Sequence, residues 1–327
     1  MVQATATIER DGLREARGVV GAGLAAMEEM LTALSEAMPG ELGEVTHGLL
    51  RSGKRLRPLV LLLAAGEEAA REPAVALAAA VEEIHAASLV HDDVIDGAEQ
   101  RRGRPSAPAA LGQRAAVLAG DYLAAAAYRQ VTLAHVSGAV EALAEAAVQM
   151  TLAEVTGSVS RGELLPEARY LEIIGGKTGA LFAASAYLGG LVAGLPADDR
   201  EALRRYGQAL GRAFQIRDDL LDLYGQAGDL GKPVRHDLAE GVYTLPLIHA
   251  AAGPGGEQVR ERLRRLSEGE DNGALAEEVA LLARRLGGPA YATERLDHYL
   301  RQARAALPEI PYRDHLAALA AYLAGPA

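Results

Sequence analysis

Cysteine is absent from this 327-residue chain, and so is tryptophan. Without cysteine there are no disulfide staples, thiolate metal sites or thiol nucleophiles, and a reducing cytoplasmic location is expected. Phenylalanine occurs twice and aromatics make up 4% of residues, although half of the chain is apolar. Alanine and leucine supply that bulk, which favours helix over strand. No run of alternating β-branched residues bounded by turn signals is found. Uncharged apolar runs such as residues 59–65 fall short of the roughly 18 needed to cross a bilayer, so no transmembrane segment is expected. The first residues include Glu9, Asp11 and Glu15 and hold no apolar export core. A net charge of −11 argues against nucleic acid as a partner.

What is present is helical. Proline and glycine punctuate segments at residues 73–96, 114–133, 138–160, 167–174, 178–193, 197–225, 239–252, 257–268, 274–286, 288–306 and 312–324, each read as a helix. Residues 97–108, rich in Arg, Pro and Gly, read as a loop, as do residues 225–237. No internal repeat or low-complexity linker interrupts residues 1–327, so one all-α domain is expected. Its functional groups should project inward from facing helices of a bundle.

Two acidic clusters carry the chemistry. The first is Asp92-Asp93-Val94-Ile95-Asp96 and the second Asp218-Asp219-Leu220-Leu221-Asp222. In each, the first and last Asp lie one helical turn apart and share a face, where like charges repel by a few tenths of a kcal/mol. A divalent cation offsets that repulsion, and hard carboxylate oxygens with open positions suit Mg²⁺ shared with phosphate groups. The plain alternative, two solvated helix faces, explains one cluster more easily than two of identical spacing.

The lysines sharpen this reading. Thirty of the 33 basic residues are Arg; Lys54, Lys177 and Lys232 are the three Lys, and each follows a glycine. Lysine is a compact point charge that a planar guanidinium does not replace, and glycine lets backbone approach a ligand. Arg101-Arg102, just beyond Asp96, adds forked donors for phosphate oxygens. Acids and bases in this combination specify a pocket for metal-bridged diphosphates. His91 beside Asp92 has no second His-Asp partner of the kind metal phosphohydrolases use, and reads as a packing residue.

Residues 53–58, His85 to Asp96 with Arg101-Arg102, residues 176–180, Phe214 to Asp222 and residues 230–246 together resemble the motifs of trans-isoprenyl (polyprenyl) diphosphate synthases of the medium- or long-chain or geranylgeranyl type. The resemblance implies an isoprenoid synthase-like bundle of mostly antiparallel helices around a central cavity, in a homodimer. It implies Mg²⁺, three ions with bound diphosphate, on Asp92, Asp93 and Asp96 and on Asp218, Asp219 and Asp222. It assigns isopentenyl diphosphate to Lys54, Arg57, His85 and Arg102, and the allylic diphosphate to Arg101, Lys177, Thr178, Gln215 and Lys232. Asp92, Asp96, Asp218, Lys177 and Lys232 would carry the reaction. The small residues Ala87 and Ser88, with Ile84 below them, would line a tunnel for a product longer than fifteen carbons. Two features depart from the family pattern: the segment after Gly162-Glu163-Leu164 is short, and Val242 stands where some relatives have Lys. A terpene cyclase of the same fold and a non-catalytic subunit of a heteromeric synthase remain as alternatives.

Overall fold

The computed structural model describes residues 12–51, 53–101, 103–225, 234–270 and 273–324. Residues 12–19 are helical and lead into α1 (Gly21–Glu36), α2 (Gly40–Leu50) and α3 (Leu56–Ala65). The central element is α4 (Glu72–Ile95), which starts with Pro73 in its first turn, where a missing N–H costs nothing. Its run of Ala, Val and Leu is apolar on nearly every side, and so it lies inside the protein. It has the length and hydropathy to cross a membrane, yet 78% of its apolar window is buried within the protein. Glu82 and Glu83 are also enclosed there. Glu82 pairs with Arg55, while Glu83 accepts a hydrogen bond from the Gln130 amide. Burial pushes the Glu83 carboxyl up to about 8, against the Gln130 bond that lowers it, so the group is neutral at pH 7.

The arginine-rich loop after α4 contains a two-residue antiparallel ladder, β1 (Gln100–Arg101) against β2 (Arg104–Pro105), which composition had not signalled. Next come α5 (Ala107–Leu111), α6 (Gln113–Leu133) and α7 (Ala139–Val159). Helix α7 has two faces: Ala146 and Ala153 pack inward, whereas Val148, Leu152, Val155 and Val159 are exposed at helical spacing.

Helix α8 (Glu167–Ile174) does not end at Gly175-Gly176 as expected. It passes through a π-helical turn (Gly175–Gly179) directly into α9 (Ala180–Val192). A π turn carries an extra residue and re-aims the side chains beyond it. Two close approaches hold it. A Cβ on Gly176 would stand 2.7 Å from the Ala153 methyl, and one on Gly211 would stand 2.6 Å from the Gly179 Cα.

Gly211 belongs to α10 (Ala197–Tyr224), which ends in the second acidic cluster. The helix expected at 239–252 starts later, as α12 (Leu245–Ala252), and a separate short helix, α11 (His236–Ala239), precedes it and begins inside the loop expected at 225–237. Gly241 at φ 73° and extended Thr244 separate them, and Pro246 opens the second, so the break follows from backbone preferences. Helices α13 (Glu257–Ser267), α14 (Ala274–Arg285), α15 (Gly288–Ala306) and α16 (Arg313–Ala324) complete the bundle. One hydrophobic core reaches from Ala16 to Leu323, and a smaller one joins Leu223, Leu238 and Tyr243 to α13 and α14.

Candidate active site

The last turn of α4 presents the first cluster in two directions, because successive helical residues point about 100° apart. Asp92 has 19% of its side chain exposed and lies 3.9 Å from the Lys177 ammonium. The same ammonium lies 2.5 Å from Glu154 of α7. Burial pushes the Asp92 carboxyl up to about 6, against the pull of Lys177, with Glu154 and Asp96 adding to the rise. Lys177, which burial would lower, is held above its ordinary value by Asp92 and Glu154 and stays charged. Asp93 turns inward, nearly fully buried, and Arg101 grips it at 2.5 and 2.7 Å. Asp96 pairs with Arg161, whose other terminal nitrogen is 2.9 Å from Glu240.

The second cluster ends α10. Asp219 is buried and accepts hydrogen bonds from the Tyr170 hydroxyl at 2.6 Å and the Gln215 amide at 2.8 Å. Burial pushes its pKa up, the two hydrogen bonds oppose this, and Asp218 and Asp222 add to it. Gln215 is itself oriented by the Thr178 hydroxyl, 2.6 Å from its carbonyl oxygen. One Asp222 oxygen accepts the Asp237 N–H at 3.1 Å, and its backbone carbonyl accepts the Arg235 N–H at 2.7 Å, so the descending chain is tied back to the cluster. Asp218 is half-buried.

The π turn joins these walls. Of its consecutive residues, Lys177 reaches Asp92 of the first cluster, and Thr178 reaches Asp219 of the second through Gln215. Among the described residues, no three carboxylates or imidazoles close around an ion by themselves. That open donor set suits Mg²⁺, which commonly takes one or two carboxylates and completes its shell with water and phosphate. Asp96 and Asp218 keep part of their side chains open to solvent, where an ion and its waters can reach them. The residues present therefore fit the ion.

Lys54 is exposed beside a strained residue, Arg55 at φ 49°, whose guanidinium is locked onto Glu28 and Glu82. Arg57 stacks on Phe182, 4.7 Å above the ring centre. His85 is half-buried on α4, about two turns before Asp92. Ile84 and Ala87 are buried and Ser88 is half-buried on the same helix. His91 packs over Gly120 of α6, which accounts for it as a packing residue. Arg102 and Lys232 lie outside the described residues. Sequence reasoning missed Glu154, Arg161, Tyr170 and Glu240. None belongs to a repeated motif, and each is brought in by packing between distant helices. A cavity of about 330 Å³ lined by Gln149, Ala153, Gly176 and Arg212 borders the π turn but contains no residue of either cluster.

Residues 40–281 match the family model for polyprenyl synthetase. The chain belongs to the polyprenyl synthetase family. It is 37% identical over 311 residues to the nonaprenyl diphosphate synthase of Mycobacterium tuberculosis, covering 93% of this chain and 92% of the relative. It is 36% identical over 273 residues to the octaprenyl diphosphate synthase of Escherichia coli, with 82% and 84% covered. The crystal structure of a polyprenyl synthase from Caulobacter crescentus, complexed with calcium and isoprenyl diphosphate, superposes with a TM-score of 0.86 at 34% identity, covering 96% of this chain and 98% of that one. The family confirms the all-α isoprenoid synthase fold expected from the motifs.

Proposed function

We propose that this polyprenyl synthetase is a prenyltransferase that condenses isopentenyl diphosphate with an allylic diphosphate and yields trans-polyprenyl diphosphates longer than fifteen carbons. The carrying observation is the pair of acidic clusters joined through one turn, with Lys177 on Asp92 and Thr178 on Gln215. Asp92 and Asp96 on one wall, and Asp218 and Asp222 on the other, are the groups that would hold Mg²⁺. Bound there with the substrate, the ions supply Lewis-acid charge that stabilises the departing diphosphate. Asp93 and Asp219 act from behind, one fixing Arg101 and the other fixed by Tyr170 and Gln215.

Lys177, held beside Asp92, is assigned to the departing diphosphate together with Lys232 and Arg101. The allylic C–O bond breaks and its electron pair leaves with the diphosphate. The isopentenyl double bond attacks the allylic carbon, and the proton released beside the new bond passes to the departing diphosphate. Lys54, Arg57, His85 and Arg102 are assigned to the isopentenyl diphosphate. The Ala- and Leu-rich interior keeps water from the cation.

Finer features belong to the same reading: one domain over residues 1–327, three Mg²⁺ ions, a cytoplasmic location and a homodimer. The exposed apolar residues of α6 and α7, among them Leu118, Leu133, Leu152 and Val159, supply a face for a second copy. Labelled isopentenyl diphosphate, Mg²⁺ and each allylic primer, followed by sizing of products, tests the reaction. Asp92→Ala and Asp218→Ala should each lower turnover by at least about 100-fold while the helical signal persists. Near-normal turnover in either variant at saturating Mg²⁺ contradicts the two-wall arrangement. Cyclised hydrocarbon products would point instead to a terpene cyclase.

A further inference from the structure

Arg161 follows the end of α7, at the point where the chain turns back beside the loop after α11. The Gly162 N–H donates to the Gly241 carbonyl at 2.8 Å, so residues 161 and 240 are pinned side by side. The guanidinium is split between two carboxylates: one terminal nitrogen takes Asp96 and the other takes Glu240. All three side chains are about a quarter to a third exposed, at 31% for Arg161, 24% for Asp96 and 33% for Glu240, so solvent and solutes reach them.

Arg101 and Arg55 are committed elsewhere, Arg101 to buried Asp93 and Arg55 to Glu28 and Glu82. Asp96 is a carboxylate that Mg²⁺ would claim, and a metal ion there competes with Arg161, which holds one of its two oxygens, and weakens that pair. When Asp96 is claimed, Arg161 loses one partner in a partly enclosed place, where an unpaired charge is costly. It keeps Glu240 and therefore its position. A diphosphate arriving with Mg²⁺ supplies the oxygens that a forked donor fits best. The charge needed for this is secure, because a guanidinium stays protonated throughout the physiological range.

We propose that Arg161 is a diphosphate-binding residue of this cleft, resting on Asp96 in the free protein and moving to the allylic diphosphate, on its Glu240 tether, when Mg²⁺ takes that carboxylate. This rests on the prenyltransferase reading above and extends it to a residue outside the recognised motifs.

Calorimetric titration of the full chain with Mg²⁺ alone, and with inorganic pyrophosphate in saturating Mg²⁺, separates the possibilities. Arg161→Gln should bind Mg²⁺ alone at least as tightly as the parent, because Asp96 is released. It should bind pyrophosphate with Mg²⁺ about tenfold or more weakly, the scale of a lost charge-assisted contact. Arg161→Lys should recover part of that loss, since it keeps the charge without the fork. Glu240→Gln, which leaves Arg161 in place, should weaken pyrophosphate binding to a smaller degree. It provides the same test if Arg161→Gln folds poorly. Pyrophosphate affinity unchanged in both variants, with only the melting temperature lowered, would show Arg161 to be a strut and overturn the proposal. A parent chain that takes up no pyrophosphate with Mg²⁺ would remove the functional reading itself, and this inference with it.

Discussion

Asp92 is enclosed, paired with Lys177 and crowded by Glu154 and Asp96. Its pKa in the folded protein, about 6, lies above the ordinary 3.8, so the folded state holds this proton more tightly than the unfolded chain does. The associated stability is complete below 3.8 and is lost as pH rises through about 6. In the metal-free protein, urea unfolding at pH 4 and at pH 7 should reveal this loss, up to about 3 kcal/mol from Asp92. Asp92→Asn should flatten that part of the profile, and added Mg²⁺ should restore stability to the parent at pH 7. The lysines provide a separate check. Lys177→Ala should raise the KM for the allylic diphosphate and lower kcat, whereas Lys54→Ala should act chiefly on isopentenyl diphosphate. Independent titration of each substrate distinguishes them, and equal mild effects would make both ordinary surface charges. The motif residues were legible because chemistry fixes their type and spacing. Arg161 and Tyr170 were not, because only packing brings them to Asp96 and Asp219.

At the level of elements, long periodic helices were read to within a residue or two, as α6, α8 and α15 illustrate. The two failures have one origin. Glycine and proline marked the places correctly, but their local consequence depends on neighbours. Gly175-Gly176 widens a continuous helix because α7 and α10 press against it, and Gly241 with Pro246 keeps the next helix from starting early, where the turn at Gly162 is hydrogen-bonded to Gly241. Gly211→Ala should therefore displace the π turn, cost about 1–3 kcal/mol in thermal or urea unfolding, and lower activity through Lys177 and Thr178 together. An active variant of normal stability would mean the turn yields freely. On α4, one helical turn rises about 5.4 Å, comparable to one extended isoprene unit. Ala87→Phe should accordingly shorten the product by one or more units while sparing the first condensation, as read by product sizing. An unchanged product distribution removes Ala87 from the tunnel wall.

Among the described residues, large apolar side chains stand exposed on α6 and α7. Leu152 is 61% exposed and Val159 75% on α7, and Leu118 and Leu133 of α6 are exposed as well. Sedimentation of the full chain should show a dimer, and Leu152→Glu should shift it towards monomer. A parent that sediments as a monomer at micromolar concentration would leave this face for another partner. Composition could not foretell the face, since exposed and buried apolar residues look alike until helices are packed. Its position carries a consequence of its own. Helix α7 turns Val155 outward, turns Glu154 towards Lys177 on the residue before it, and ends just before Arg161. A copy docked on that helix would therefore bear on the element that also carries Glu154, the carboxylate partner of Lys177.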